Sequence, residues 1–412
     1  MKIRKLNMIE FWLVWVLLVS IDFFHLFSLT RFTGVKTEDI LLVSSAIIYG
    51  YYFIASDIKK KYLRGAILFV MPVVMSIISS VVSSVKFGQS FMDGFLAQRF
   101  FWFPFLLYFP LNKAILNGRL TLNRVNDIIS KIAFVEILIV FFQCILYNYV
   151  RFSLIEFVGT FRGGSWTNRL YFNAPIVIYA LFLWISNILR QRHTRTSVIG
   201  VAMSIAVLFV FGKTRMQMLG VMIVLAYIIL KCKMSTKKKI LLIMASFLAG
   251  LILACSSIFD FIISIFAETV SGTGTALIRN EGRELYINAL KKSPLVGFGY
   301  PHQNCYAAIE AAGINRRIYL VDNGIFGWGY VYGLIGVIWF LVFHIKPFIL
   351  ANNNKDSRFL AISSYYLYNL VIIISLVYLN QYFIWCTLMV LLSLFANVLK
   401  NTEVDKCITH QF

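Results

Sequence analysis

Residues 324–345, GIFGWGYVYGLIGVIWFLVFHI, contain no Asp, Glu, Lys or Arg. The stretch has the length of roughly twenty residues that an α-helix needs to cross about 30 Å of hydrocarbon. A helix that is apolar all round has no face to turn toward water, so it asks for lipid or a closed core. Working outward from it, similar runs recur at 8–30, 39–56, 66–86, 91–112, 131–150, 171–189, 197–212, 216–230, 240–266, 359–379 and 382–399. Together these give about twelve candidate spans. Composition agrees: 59% of residues are hydrophobic and 14% charged, against roughly 45–50% apolar in soluble domains. The expectation is an all-α integral membrane protein of about twelve transmembrane helices. It forms a single polytopic domain over residues 1–412, with one long structured loop at 267–323.

The chain opens with Met1–Lys5 and an apolar stretch, the order of a signal peptide, but no small-residue cleavage site follows. It reads as an uncleaved first span. A net charge of +21 in a soluble protein would point to nucleic acid, yet no nucleic-acid motif accompanies it and the placement of the charge matters more than its sum. Of the 39 Lys and Arg, 24 fall on one side of the span list and 14 on the other, with Arg99 inside a span. Cytoplasmic loops retain positive charge, so both termini are expected inside and residues 267–323 outside. Arg makes up 9 of the 14 outer cations but only 8 of the 24 inner ones. Topogenesis does not ask for that bias, whereas a phosphate-bearing ligand does, because guanidinium grips phosphate through paired hydrogen bonds. Solvated loop charges without a partner are the alternative. Six scattered cysteines with no CxxC and only Cys305 outside give no disulfide framework.

The outer segments hold the candidate chemistry. Arg99 sits inside the 91–112 span, where an unpaired charge is expensive, so it either pairs, lines a wet cavity or snorkels to the headgroups. Arg215, in Thr214-Arg215, occupies a very short turn that holds it near the membrane surface. Arg162 and Arg169 flank a Gly-Gly-Ser-Trp stretch at 163–166 suited to sugar rings or to a membrane border. In the long loop, Asn280 is expected to cap a helix running to Lys292, where Ser293-Pro294 ends it, and Pro301–Ala312 reads as a second helix closed by Gly313. Arg279 and Arg283 lie on the first helix, then come Gly297 and Gly299, whose freedom would let backbone approach a ligand. His302, Arg316, Arg317 and Asp322 follow. Asp322 suits a general base, but Asp322 or Asn323 equally suits the N-cap of the helix that begins there. Asp22 and Glu136 within spans are the only hint of an ion path, without matching halves or broken helices. No HExxH-like spacing supports a metal, and no cofactor is expected.

These residues resemble a family, the Wzy-type repeat-unit polymerases and O-antigen ligases. Gly282-Arg283 followed by Pro294-Leu295-Val296-Gly297-Phe298-Gly299 is similar to the family's "GR … PLxGxG" stretch, and Thr214-Arg215 to its arginine ahead of a span. The ligase pattern, His, then Asn, Ser or Gln, nine residues, Gly, two residues and Gly, Thr or Tyr, aligns with Asp322-Asn323 and Gly333 to Gly336. The histidine position thus holds Asp, which favours a polymerase over a ligase. A competing alignment from His302-Gln303 reaches Gly313 but ends on Arg316 with no apolar span after it.

The resemblance implies a GT-C-like fold in the bacterial cytoplasmic (inner) membrane. It also implies transfer of a growing glycan from an undecaprenyl-pyrophosphate carrier to the next lipid-linked repeat unit. Arg215, Arg279 and Arg283 would steady the departing pyrophosphate, with Arg99, Arg162, Arg169, Arg316 and Arg317 as further substrate contacts. Asp322 would take the acceptor proton, with His302 in reserve. The partners implied are the undecaprenyl-pyrophosphate-linked oligosaccharide, the lipid bilayer, a flippase and a chain-length regulator, and no nucleic acid. An O-antigen ligase, a lipid-linked oligosaccharide flippase and a secondary transporter remain as alternatives.

Overall fold

The computed structural model describes residues 7–26, 34–54, 66–155, 158–160, 169–171, 175–190, 194–212, 214–232, 275–354, 356–377, 379 and 381–395. The candidate span at 240–266 lies outside them. In chain order the α-helices are α1 (Met8–Ser20), α2 (Thr37–Ile54), α3 (Ala66–Phe87), α4 (Phe91–Ala97), α5 (Arg99–Trp102), α6 (Tyr108–Leu116), α7 (Leu122–Ile145) and α8 (Pro175–Leu189). They continue with α9 (Arg195–Ala206), α10 (Arg215–Lys231), α11 (Thr275–Lys292), α12 (Tyr306–Ala311), α13 (Gly324–Asn353), α14 (Leu360–Ile372) and α15 (Tyr382–Ser393). Four stretches among the described residues are long and apolar enough to cross a membrane: Val70–Phe87, Leu122–Val150, Arg195–Gly212 and Leu320–Asn353. The protein is predominantly helical, as its apolar runs require. One exception to the all-α expectation is a short antiparallel hairpin, β1 (Val158–Thr160) on β2 (Arg169–Tyr171), with Thr160 opposite Arg169.

Local chemistry explains several boundaries. Asn7 starts α1 with a capping box: its side chain accepts from the Glu10 N–H at 2.9 Å while Glu10 accepts from the Asn7 N–H at 3.3 Å. Glu10 then binds Arg124 at 2.9 Å, tying α1 to the first turn of α7. The expected span at 91–112 is not one helix. It turns at Gln98 and runs as a 3-10 stretch over Phe103–Leu107 before α6 begins. At Gln98 the backbone N–H turns to the Phe95 carbonyl at 3.1 Å, and the side-chain amide donates instead to the Gly94 carbonyl at 2.9 Å and the Ser80 hydroxyl at 3.2 Å; further on, Pro104 has no N–H to continue an α-helical ladder.

The core is aromatic. The Phe101 ring lies 5.1 Å from Trp328, 5.5 Å from Trp339 and 5.0 Å from Trp385, mostly in the edge-to-face or tilted arrangements that ring quadrupoles favour. Phe101, Trp328 and Trp385 are fully buried, so α5, α13 and α15 converge there.

The expectation that no span is broken is overturned in α13. Gly333 has φ 64° and ψ −166°, which interrupts the helix. Backbone groups released inside an apolar bundle each cost several kcal/mol unless paired, and here residues 294–299 pair them. The N–H groups of Phe298 and Gly299 donate to the carbonyls of Tyr330 (2.7 Å) and Val331 (3.2 Å), and that of Leu334 donates to Pro294 (2.8 Å). A Cβ on Gly297, Gly299 or Gly333 would collide with the backbone of Tyr330, Ser79 or Leu295 respectively, and all three have positive φ. These glycines let backbone approach the protein's own helices, which corrects the reading that reserved Gly297 and Gly299 for a ligand. Part of the loop expected outside is therefore wedged between α3 and α13.

Candidate functional site

Above that wedge, α11 lies across a 3-10 turn, Leu320–Asn323. The helix begins at Thr275 and not at Asn280, which sits within it. Spaced at i, i+3, i+4 and i+7, Arg279, Gly282, Arg283 and Tyr286 share a face. Gly282 makes the close approach possible: a Cβ there would stand 2.6 Å from the Asn323 side-chain amide. One turn earlier, Arg279 Nη2 lies 3.8 Å from Asp322 Oδ1, with the two side chains 32% and 45% exposed. Arg283 Nε is buried with no hydrogen-bond partner among the described residues. Tyr286 is buried and donates to the Ala312 carbonyl at 3.0 Å. Burial, together with nearby Tyr330 and Asp322, pushes its phenol above the usual range, while Arg316 opposes the shift. Arg279 and Arg283 thus lie on the helix face that meets Asp322, and Arg316 is near enough to Tyr286 on that face to act on its phenol.

The turn is held from below. Ile325 N–H donates to the Ile373 carbonyl at 2.8 Å and Val377 N–H to Val321 at 3.0 Å. The Asn323 amide donates to the Tyr319 carbonyl at 2.9 Å, leaving its buried Oδ1 without a partner among the described residues. Neither Asp322 nor Asn323 caps α13, because Asn323 stands at the N-cap position without a side-chain capping bond. The cap alternative fails, and Asp322 is a part-exposed carboxylate beside a guanidinium.

His302 belongs to a different cluster. Its N–H donates to Gln89 Oε1 at 2.8 Å, its Nδ1 accepts the Asn304 N–H at 3.2 Å, and Asp93 lies 3.8 Å away. The imidazole is thus part of the bonded cluster around Gln89 and Asp93 and not of the Arg279–Asp322 pair. The helix expected over Pro301–Ala312 forms only at Tyr306–Ala311, after this clamp; Gly313, at φ 75°, closes it as expected. Tyr300 is held similarly, donating its N–H to Ser79 Oγ at 2.9 Å, and burial pushes its phenol up to about 12. Lys86 completes the clamp, 3.1 Å from the Gly297 carbonyl and 3.7 Å over the Phe298 ring.

The remaining candidates are placed elsewhere. Arg99 pairs with Asp39, Nε to Oδ1 at 2.6 Å and Nη2 to Oδ2 at 3.4 Å, so its charge is compensated within the protein. Arg317 is exposed with φ 63°, beside exposed Arg316. Arg169 is described only as backbone in β2, Arg215 only as the first residue of α10, and Arg162 lies outside the described residues. Glu136 is fully buried and 3.4 Å from His25, and Asp22 accepts from the Thr37 hydroxyl at 2.9 Å. His25 and Asp39, the partners found by Glu136 and Arg99, carry no local motif that would have singled them out. Among the described residues no three His, Cys, Asp or Glu gather to hold a metal. No family model and no curated protein sequence matches the chain.

Proposed function

We propose that this chain is a polysaccharide polymerase that moves a growing glycan from an undecaprenyl-pyrophosphate carrier onto a hydroxyl of the next lipid-linked repeat unit. The observation that carries the reading is the approach of Arg279 to Asp322 on the helix face that also carries Arg283, whose Nε is buried and unpartnered among the described residues. A buried donor on a cation is costly to leave unpaired, and a pyrophosphate oxygen would satisfy it. In the transfer the bond from the anomeric carbon to the pyrophosphate oxygen breaks as the acceptor oxygen attacks. The electron pair leaves on the pyrophosphate, facing Arg279 and Arg283, and the acceptor proton passes to Asp322.

The test is replacement of Arg215 and Arg283 by Lys, which keeps the charge and removes the guanidinium fork. Each loss is expected to cost about 2–4 kcal/mol of transition-state stabilisation, roughly 30- to 1000-fold in rate. Full-length polymer from both correctly inserted Lys variants would remove the phosphate role.

A second reading, a lipid-linked oligosaccharide flippase or secondary transporter, is favoured by the break at Gly333 and the buried Glu136–His25 pair. Under that reading Glu136→Gln abolishes export while Asp322→Asn leaves it intact. Under the polymerase reading the two results are reversed.

A further inference from the structure

A run of hydrogen bonds fastens the wedge to α13, α3 and the start of α4. The Gly299 N–H donates to the Val331 carbonyl at 3.2 Å and the Tyr300 N–H to Ser79 Oγ at 2.9 Å, while the Tyr300 carbonyl accepts from the Gln89 amide at 3.0 Å. Gln89 Oε1 in turn accepts the His302 N–H at 2.8 Å. All these bonds join amides and a hydroxyl, which keep their donors and acceptors at any ordinary pH. The last link of the run is different in kind.

His302 Nδ1 accepts the Asn304 N–H at 3.2 Å, and Asp93 Oδ2 lies 3.8 Å from the same nitrogen. Asp93 also accepts from the Asn304 side-chain amide at 3.4 Å. One ring nitrogen thus stands between a backbone donor and a carboxylate. A neutral imidazole can accept there, whereas an imidazolium carries hydrogen on both nitrogens and can only donate. Uptake of a proton therefore sets Nδ1–H against the Asn304 N–H and makes Asp93 its natural acceptor. The other charges on the elements around the ring are placed elsewhere: Lys86 of α3 is held at the Gly297 carbonyl and the Phe298 ring, and Glu310 of α12 is exposed. Among the described residues Asp93 is the charged group in ion-pair contact with His302.

We propose that the wedge carries a proton-operated catch, in which protonation of His302 releases the Asn304 N–H, draws the ring onto Asp93 and loosens the turn that leads into α12. The Cys305 N–H donates to the His302 carbonyl at 3.0 Å, so the turn and the N-cap of α12 move with this residue. The proton comes from water, since the two side chains are 21% and 38% exposed, and histidine is the side chain whose ordinary charge change falls between about pH 5 and 8. A part-exposed ion pair and one backbone hydrogen bond are similar in strength. The exchange is therefore local and leaves the fold in place. It acts on the scaffold and holds under either reading of the function.

The experiment is hydrogen exchange on the purified full chain in detergent at about pH 7.5 and about pH 5.5, corrected for the intrinsic pH dependence of exchange. Peptides covering residues 300–306 report the catch, and peptides from α11 serve as the reference. In acid the protection of 300–306 should fall by about three- to tenfold while α11 keeps its own. His302→Gln, whose side-chain oxygen accepts but does not titrate, should show the same protection at both pH values. Asp93→Asn removes the acceptor of the charged ring and should weaken the response by about threefold. Equal protection of 300–306 at both pH values in the wild type overturns the catch. So does a fall that persists in His302→Gln, one undiminished in Asp93→Asn, or one that spreads equally to α11.

Discussion

Two neighbouring regions carry much the same residues, yet use them in opposite ways. In the wedge at 294–305, glycines, a histidine and nearby Lys86, Gln89 and Asp93 are bonded into the protein. Gln89 alone receives the His302 N–H at 2.8 Å and donates to the Tyr300 carbonyl at 3.0 Å. On the α11 face, Arg279 and Asp322 only approach within 3.8 Å while both stay part-exposed, and Arg283 Nε has no partner among the described residues. A loose, exposed ion pair contributes little to stability, about 0–1 kcal/mol. The charges on α11 therefore have little structural purpose, while those in the wedge have a clear one. Scaffold and site are told apart by what each polar group already holds.

Substitutions can break this comparison. The largest effect is expected from Asp322→Asn, which keeps shape and loses the proton acceptor. Turnover should fall by about 100-fold or more, with single repeat units accumulating on the lipid carrier and expression unchanged. Because Asp322 makes no capping bond, Asp322→Ala should be equally well folded; a stability loss of about 1 kcal/mol would restore the cap role. Next comes Gly299→Ala in the wedge. The added methyl meets the Ser79 carbonyl, and the positive φ adds strain. A loss of about 2–4 kcal/mol is expected, read as a lower melting temperature in detergent; an unchanged melting temperature would mean the loop is not held there.

Smaller effects sharpen the contrast. Arg99 and Asp39 should couple by roughly 1 kcal/mol in a double-mutant cycle of stability, since Asp39 is 38% exposed and partly screened. Neither single variant should change polymer chemistry; a loss of product at normal abundance would return Arg99 to the site. The smallest effect is assigned to His302→Gln, with product expected within about threefold of wild type because the His302 ring is bonded within the wedge and apart from the Arg279–Asp322 pair. A loss as deep as that of Asp322→Asn would make His302 the base.

Legibility from sequence followed the range of the interactions. Apolar runs such as 66–86 and 197–212 announced helices because span length is a local property, and Ser293-Pro294 marked the end of α11 for the same reason. The 91–112 run misled, since its hydrophobicity concealed the turn at Gln98 and the 3-10 stretch around Pro104. The break at Gly333 was not legible either: a glycine in an apolar helix is common, and only the docking of Leu295 and Gly297 from another segment reveals its purpose. For the site, Arg279, Arg283 and Asp322 were recognisable by residue type and order. The pairing of Arg99 with Asp39 and the engagement of His302 by Gln89 and Asn304 depend on contacts across elements.

The central claim is bond transfer at the α11 face, and one measurement bears on it most directly. Purified protein in lipid vesicles is supplied with the lipid-linked repeat unit of its own strain, and products are separated by length. Polymer should grow on the carrier while undecaprenyl pyrophosphate is released in step with each unit added, and Asp322→Asn should stop both. If the lipid-linked unit instead crosses the vesicle membrane intact, with no carrier released and no lengthening, the polymerase account is contradicted and the transporter reading takes its place.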